Sequence, residues 1–166
     1  MKKILVILML TVLLTGCSQT TFETLGEIPL QQVDAPAGKI RLTLPEDAAA
    51  TVMEAEDSGT IYLCDGYTVT VQTLSGGDLD RTLRQITGFS KDALTVMQTQ
   101  EGSHKRYDSV WAAAGESEDQ IGRVCILDDG SFHYAVSVMA DFTQAGDLAQ
   151  TWQQILASVS LDSTAA

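Results

Sequence analysis

The dipeptide Asp65-Gly66 separates two segments rich in β-branched and aromatic residues, Thr60–Asp65 and Tyr67–Leu74. Asp-Gly is favoured in two-residue hairpin turns, because both central positions of such turns need positive φ. A turn of two residues also fixes which residues of the two strands face each other. In this register Cys64 lies opposite Tyr67, and Tyr62 lies opposite Val69. These four side chains share one face of the hairpin, which we assign to the core.

Further segments with strand character follow along most of the chain. They are Lys39–Leu44, which Pro45 ends, Val52–Met53, Leu94–Gln98, Tyr107–Ala113, Ile121–Leu127 and Phe132–Ala140. Turn residues separate the later segments, at Glu101-Gly102-Ser103 and at Asp128-Asp129-Gly130. Strands that are joined by short turns run antiparallel, so the sequence predicts a mainly antiparallel sheet.

Two segments have helical periodicity. The first follows Asp78, a favoured capping residue, and ends at Gly88. The second covers residues 146–159, and its apolar stripe consists of Leu148, Trp152, Ile155, Leu156 and Val159. Such a stripe needs a sheet to cover. We therefore predict an α+β fold with helices packed on the sheet, including a C-terminal amphipathic helix.

Four stretches together resemble the PsbP-like α/β sandwich: "KIRLTLPED", "IYLCDGYTVTV", "RVCILDDGSFHYAVSVMA" and "WQQILASVSL". In that family an early strand ends at a proline, and a terminal helix carries an aromatic residue before an "Ile-Leu-x-Ser" ending. The resemblance implies the fold over most of residues 39–161. Many members are bacterial envelope lipoproteins or accessory subunits of membrane complexes, generally without catalysis. A shared fold does not by itself establish a function.

The first residues have the layout of an export signal. Lys2 and Lys3 precede an apolar run, Ile4–Leu14, which is about half the length of a membrane span. Leu14-Thr15-Gly16-Cys17 resembles the bacterial lipobox. That resemblance implies that Cys17 carries a diacylglyceryl group, becomes the new N-terminus and anchors the protein to the lipid bilayer. The alternatives are an ordinary secreted protein and an uncleaved anchor helix.

The predicted organisation is a signal peptide at residues 1–16, a lipidated N-terminus and tether at 17–38, one domain at 39–162 and a disordered tail at 163–166. Removing Lys2 and Lys3 leaves 8 basic and 22 acidic residues, so the formal net charge changes from −12 to −14. Such a surface is repelled by nucleic acid and by anionic head groups. We expect an extracytoplasmic protein held by its lipid, on the cytoplasmic membrane's outer face or on an outer membrane.

Cys64 and Cys125 are the cysteines that remain once Cys17 is acylated. Outside the cytoplasm they could form a disulfide that closes a loop of about 60 residues. The alternative is two separate buried thiols. Neither cysteine belongs to a C-x-x-C pair, so no metal site is predicted.

The sequence contains no recognisable catalytic motif. His104 and His133 could each act as a base, but neither a G-x-S-x-G nor an H-E-x-x-H pattern is present, and both are interpreted as surface histidines. Asp78 and Asp80 are interpreted as acids at a helix N-terminus rather than as cation ligands.

A recognition surface is expected near Tyr107 and Trp111, because small residues follow Trp111 and leave room beside it. We expect no enzyme activity and no cofactor. The predicted function is a binding or assembly module for another envelope protein or complex. The alternatives are a lipid-tethered hydrolase with a site around the histidines and a small-ligand or cation-binding protein.

Overall fold

The computed structural model describes residues 38–46, 48–52, 59–115 and 118–163, and its centre is an antiparallel sheet. The strands are β2 (Ala49–Val52), β3 (Gly59–Cys64), β4 (Tyr67–Ser75), β5 (Val96–Glu101), β6 (His104–Ala113), β7 (Gln120–Asp128) and β8 (Phe132–Asp141). Their order across the sheet is β2-β3-β4-β8-β7-β6-β5. Strand β5 therefore lies at one edge of the sheet, next to β6. The mainly antiparallel α+β fold is confirmed.

The β3–β4 hairpin has the predicted register. Cys64 pairs with Tyr67 and Tyr62 pairs with Val69, and all four side chains belong to one apolar cluster. The turn differs in one respect from the expected geometry. Gly66 has a φ of 77°, but no residue other than glycine has positive φ in the described ranges. The turn therefore requires glycine only at its second central position.

One helix packs on each face of the sheet in the part of the chain that the structure describes. Helix α1 (Leu79–Thr87) covers what we term the α1 face, where Leu83 contacts buried residues of the sheet. Helix α2 (Ala145–Ala157) covers the opposite α2 face. Three residues of its predicted apolar stripe, Trp152, Ile155 and Leu156, are buried in the larger of the two clusters, and Leu148 is partly buried against that cluster.

The ends of α1 lie where the sequence places them. The Asp78 carboxylate accepts a hydrogen bond from the Arg81 backbone N–H at 3.0 Å. Gly88 ends the helix with a φ of 79°, and its N–H donates to the Arg84 carbonyl. Short 3₁₀ turns at Lys91–Ala93 and Phe142–Gln144 lead into β5 and α2 respectively.

A second, two-stranded sheet joins the two ends of the domain. Strand β1 (Gly38–Arg41) pairs antiparallel with β9 (Ser160–Ser163), which the sequence analysis did not predict. Ile40 and Leu161 pack against the cluster on the α2 face, so this pair helps to cover the sheet. The Gly38 N–H also donates to the Tyr134 hydroxyl at 3.2 Å, which ties β1 to β8.

Several predicted segments lie outside the described residues. They are the signal peptide, Cys17 and the tether up to residue 37, together with residues 164–166 of the expected tail. The described residues all belong to one compact unit, residues 35–166. Within them, neither helix has the length and apolar character needed to cross a membrane.

Candidate functional site

The α2 face is left partly open at its β5–β6 end. A groove of about 360 Å³ lies there, beside the C-terminal end of α2. We call it the β5–β7 groove; its lining residues are Thr95, Met97, Asp108, Ser109, Val110, Arg123, Val124 and Leu156. Met97 and Val110 are 60% and 51% exposed, although both side chains are large and apolar. From the pairing register they are diagonal neighbours on adjacent strands, so they form one continuous apolar surface.

Arg106 fixes the wall between the groove and α2. Its guanidinium donates to both carboxylate oxygens of Asp108, at 2.9 and 3.2 Å, and to the Leu156 carbonyl at 2.8 Å. Burial alone would lower the pKa of Arg106, but the hydrogen bonds to Asp108 and to Glu101 raise it above its usual value. A permanently charged guanidinium at a helix C-terminus satisfies a carbonyl and complements the helix dipole. The groove wall is therefore held in place by charge-assisted hydrogen bonds.

Arg123 is the second cation of the groove. It lies directly opposite Val110 in the β6–β7 register and is half-buried. No carboxylate of the described residues lies within ion-pair distance of its guanidinium. Asp108, which also lines the groove, is already bound by Arg106 through both oxygens. The groove thus combines an apolar floor with a guanidinium that forms no ion pair with a carboxylate of the described residues.

Cys64 and Cys125 do not form a disulfide. Cys64 is on β3 and Cys125 is on β7, which are three strand positions apart in the sheet. At about 4.8 Å per position their Cα atoms are at least about 14 Å apart, twice the reach of a disulfide. The Cys125 thiol is buried, and burial raises its pKa to about 12 despite the nearby Arg106. It is therefore a packed, protonated thiol rather than a nucleophile.

His133 is buried, contrary to the expectation of a surface histidine. Only 1% of its surface is exposed, and a hydrogen bond of 2.6 Å joins its Nδ1 to the Thr82 hydroxyl of α1. Its Nε2 lies 3.9 Å from the Asp128 carboxylate. Burial lowers the pKa of His133, although Asp128 opposes the shift. Thr82 is also buried, so its hydrogen bond with His133 attaches α1 to the sheet, and neither of these two side chains is exposed to a substrate.

Tyr107 and Trp111 do not form a recognition surface. Both are buried beneath α1, with Trp111 only 7% exposed. Trp111 lies opposite Gly122, and its ring occupies the space where a Cβ would stand. The room expected beside Trp111 is thus filled by its own packing. Sequence alternation could not reveal this, because both faces of β6 carry apolar residues.

His104 lies at the β5–β6 turn and is partly exposed. It lines a small hollow of about 210 Å³ with Glu101, Leu127 and Leu161. The described residues contain no group of three or more histidine, cysteine or acidic side chains that could hold a metal ion. The β5–β7 groove was missed by the sequence analysis, although Met97 and Val110 are apolar residues in predicted strands.

Comparisons with known proteins identify the N-terminus and the fold. Residues 1–18 match the family model of the prokaryotic membrane lipoprotein lipid attachment site, which confirms the lipobox prediction. The chain is therefore a lipid-anchored extracytoplasmic protein. Among curated proteins, none matches the sequence.

The solved structures that resemble the domain include two with a TM-score above 0.5. The solution structure of the PsbP protein of Synechocystis (CyanoP) has a TM-score of 0.56 and 6% identity, over 79% of this chain and 96% of that one. A crystal structure from Bacteroides thetaiotaomicron has a TM-score of 0.52 and 11% identity; the match covers 75% of this chain but only 46% of that one. LpqN of Mycobacterium tuberculosis, described as involved in cell envelope biogenesis, is less similar, with a TM-score of 0.42, 11% identity and coverage of 77% and 86%. The first two likenesses show the fold, which is PsbP-like.

Proposed function

We propose that this lipoprotein is a non-catalytic binding or assembly module that contacts another protein of the cell envelope through the β5–β7 groove. The lipid attachment site places the domain outside the cytoplasm and at a membrane. Lateral confinement to a membrane suits a module that binds a neighbouring envelope protein. The burial of His133 supports a non-catalytic role, since the best-connected histidine of the domain is out of reach of a substrate.

The pair Met97 and Val110 carries the proposal. Most apolar side chains of the α2 face are covered by α2 or by the β1–β9 pair, whereas these two are more than half exposed. Apolar area left in water costs roughly 25 cal/mol per Å², so its burial by a partner favours association. Adjacent apolar residues beside a fixed polar wall are typical of the core and rim of a protein interface.

The experiment compares variants of the intact lipoprotein in its native membrane. Replacing both Met97 and Val110 by aspartate puts two charges into the groove and should abolish co-purification of a stoichiometric partner. Leu63→Asp is the matched control, because Leu63 is also 51% exposed but lies on the α1 face. The proposal fails if the control and the groove variant recover the same partners.

The anchor is tested in the same preparation. Cys17→Ser removes the thiol that carries the lipid, so the protein should move from the membrane to the soluble fraction. Mass spectrometry should show the loss of the acyl groups from the N-terminus. A membrane-bound Cys17→Ser protein would contradict anchoring through this residue.

A further inference from the structure

We propose that the β5–β7 groove binds an acidic side chain that stands next to apolar residues in a segment of the partner protein, with Arg123 as its charge partner. This inference rests on the proposed function and names the chemistry that the groove selects. It follows from the absence of an ion pair between Arg123 and the described residues, from the apolar walls around Arg123 and from the fixed position of the other charges.

Arg123 is a charged side chain of the groove that forms no ion pair with the described part of the domain. The Asp108 carboxylate is engaged on both oxygens by Arg106, and Glu101 accepts from the same guanidinium at 3.3 Å. Neither acid lies within ion-pair distance of Arg123. A guanidinium presents a planar fork of donors that matches a carboxylate in two parallel hydrogen bonds. A carboxylate from outside could therefore pair with Arg123 without displacing an ion pair of the described residues.

The walls around Arg123 select the kind of anion. Met97, Val110 and Leu156 give the groove an apolar lining, which lowers the local dielectric and strengthens an ion pair formed there. The same walls favour a carboxylate whose neighbours are apolar over a fully hydrated ion. Asp108 in the lining and the formal net charge, which is −14 once Lys2 and Lys3 are removed, act against a doubly charged phosphate. A singly charged carboxylate on an apolar segment fits best.

The size of the groove agrees with this occupant. Its volume of about 360 Å³ is at the low end of the range, about 300–1,000 Å³, that holds small ligands. Such a space takes an acidic side chain and part of an apolar neighbour, not a large cofactor. The remaining apolar residues of the segment would cover Met97 and Val110 at the sheet surface.

The test uses the intact lipoprotein in detergent micelles and two acetylated, amidated pentapeptides, Gly-Leu-Glu-Leu-Gly and Gly-Leu-Gln-Leu-Gly. Titration is followed by NMR, through the Arg123 Nε–H signal and the methyl signals of Met97 and Val110. We expect saturable shifts with the glutamate peptide and at least tenfold weaker binding of the glutamine peptide. Arg123→Gln should remove that difference, and Arg123→Lys should keep part of it.

Controls separate this inference from loss of folding and from loss of the proposed function. Arg81→Gln changes an exposed arginine of α1 and should leave both titrations unchanged. Circular dichroism checks that each Arg123 variant is folded. Three results would overturn the inference. They are equal binding of the two peptides, displacement of the glutamate peptide by inorganic phosphate at equal concentration, and an Arg123→Gln protein that still prefers the glutamate peptide. If the aspartate variant of Met97 and Val110 loses the partner while Arg123→Gln retains it, the proposed function is supported and only the carboxylate site is refuted.

Discussion

Gly122→Ala tests the packing that removes Trp111 from the surface. A Cβ on Gly122 would stand 2.3 Å from Cζ2 of Trp111 and 2.6 Å from two further atoms of its ring. Ordinary contact begins near 3.4 Å, so the ring has to move by about 1 Å. Trp111 is 7% exposed and its cluster contains Leu83 and Tyr107, so any movement displaces buried neighbours.

The expected cost of Gly122→Ala is about 2 kcal/mol of the free energy of unfolding. Overpacking of a well-packed core costs roughly 1–3 kcal/mol, and a strand within the sheet leaves little room for backbone adjustment. For a domain of this size, that loss lowers Tm by about 5–10 °C. Urea and thermal unfolding followed by circular dichroism measure both quantities. The backbone of Gly122 does not need positive φ, so the effect is steric.

Two variants make the Gly122 prediction refutable. Gly146→Ala adds a methyl group to α2 where no atom lies within 4 Å, and it should stabilise the protein by up to about 1 kcal/mol. In the double variant with Trp111→Leu, the clash disappears, so the two substitutions should cost less together than the sum of their separate costs. Strict additivity, or a Gly122→Ala protein as stable as wild type, would refute the overpacking argument.

Two further predictions concern polar side chains of the β7–β8 hairpin, of which His133 is buried and Asp129 is partly exposed. Burial lowers the pKa of His133 below 6.5, so the unfolded state binds the proton more tightly, and stability should fall as the pH drops below about 6.5. This part of the pH dependence should be absent in His133→Gln. The prediction is wrong if the wild-type and His133→Gln proteins show the same change in the free energy of unfolding by urea from about pH 5 to 8. Asp129→Ala should cost about 1–3 kcal/mol in the same assay, because Asp129 accepts hydrogen bonds from the Phe132 N–H at 2.7 Å and the Tyr134 hydroxyl at 2.8 Å. A loss below about 0.5 kcal/mol would argue against that role.

The local signals in the sequence predicted much of the fold. The Asp65-Gly66 turn gave the β3–β4 register, and Asp78 and Gly88 marked the ends of α1. These signals succeed because each depends on a few residues that are close in the chain. The periodicity of the last helix was equally informative, since its apolar stripe faces the larger cluster.

The long-range contacts were not predictable in the same way. Strands β1 and β9 pair although more than a hundred residues separate them in the sequence. Because β9 was not predicted, Val159 was assigned to the last helix, which ends at Ala157. The predicted surface exposure of His133 and Trp111 was wrong for a related reason. The sheet carries helices on both faces, so alternation along β6 or β8 separates two faces without indicating which face is exposed.

The open groove follows from the width of the sheet relative to the elements that cover it. The sheet, β2 to β5 across, is about 29 Å wide at roughly 4.8 Å per strand position, whereas a helix is about 10 Å wide and covers about two strands. Helix α2 lies over β7 and β8, and the β1–β9 pair adds Ile40 and Leu161 to the same cluster. Among the described residues, no other helix covers this face, so Met97 and Val110 stay exposed. No motif encodes that outcome, because it depends on how many strands the sheet contains and on where a single helix lies. Burying the β5–β6 end would therefore require a surface other than α2.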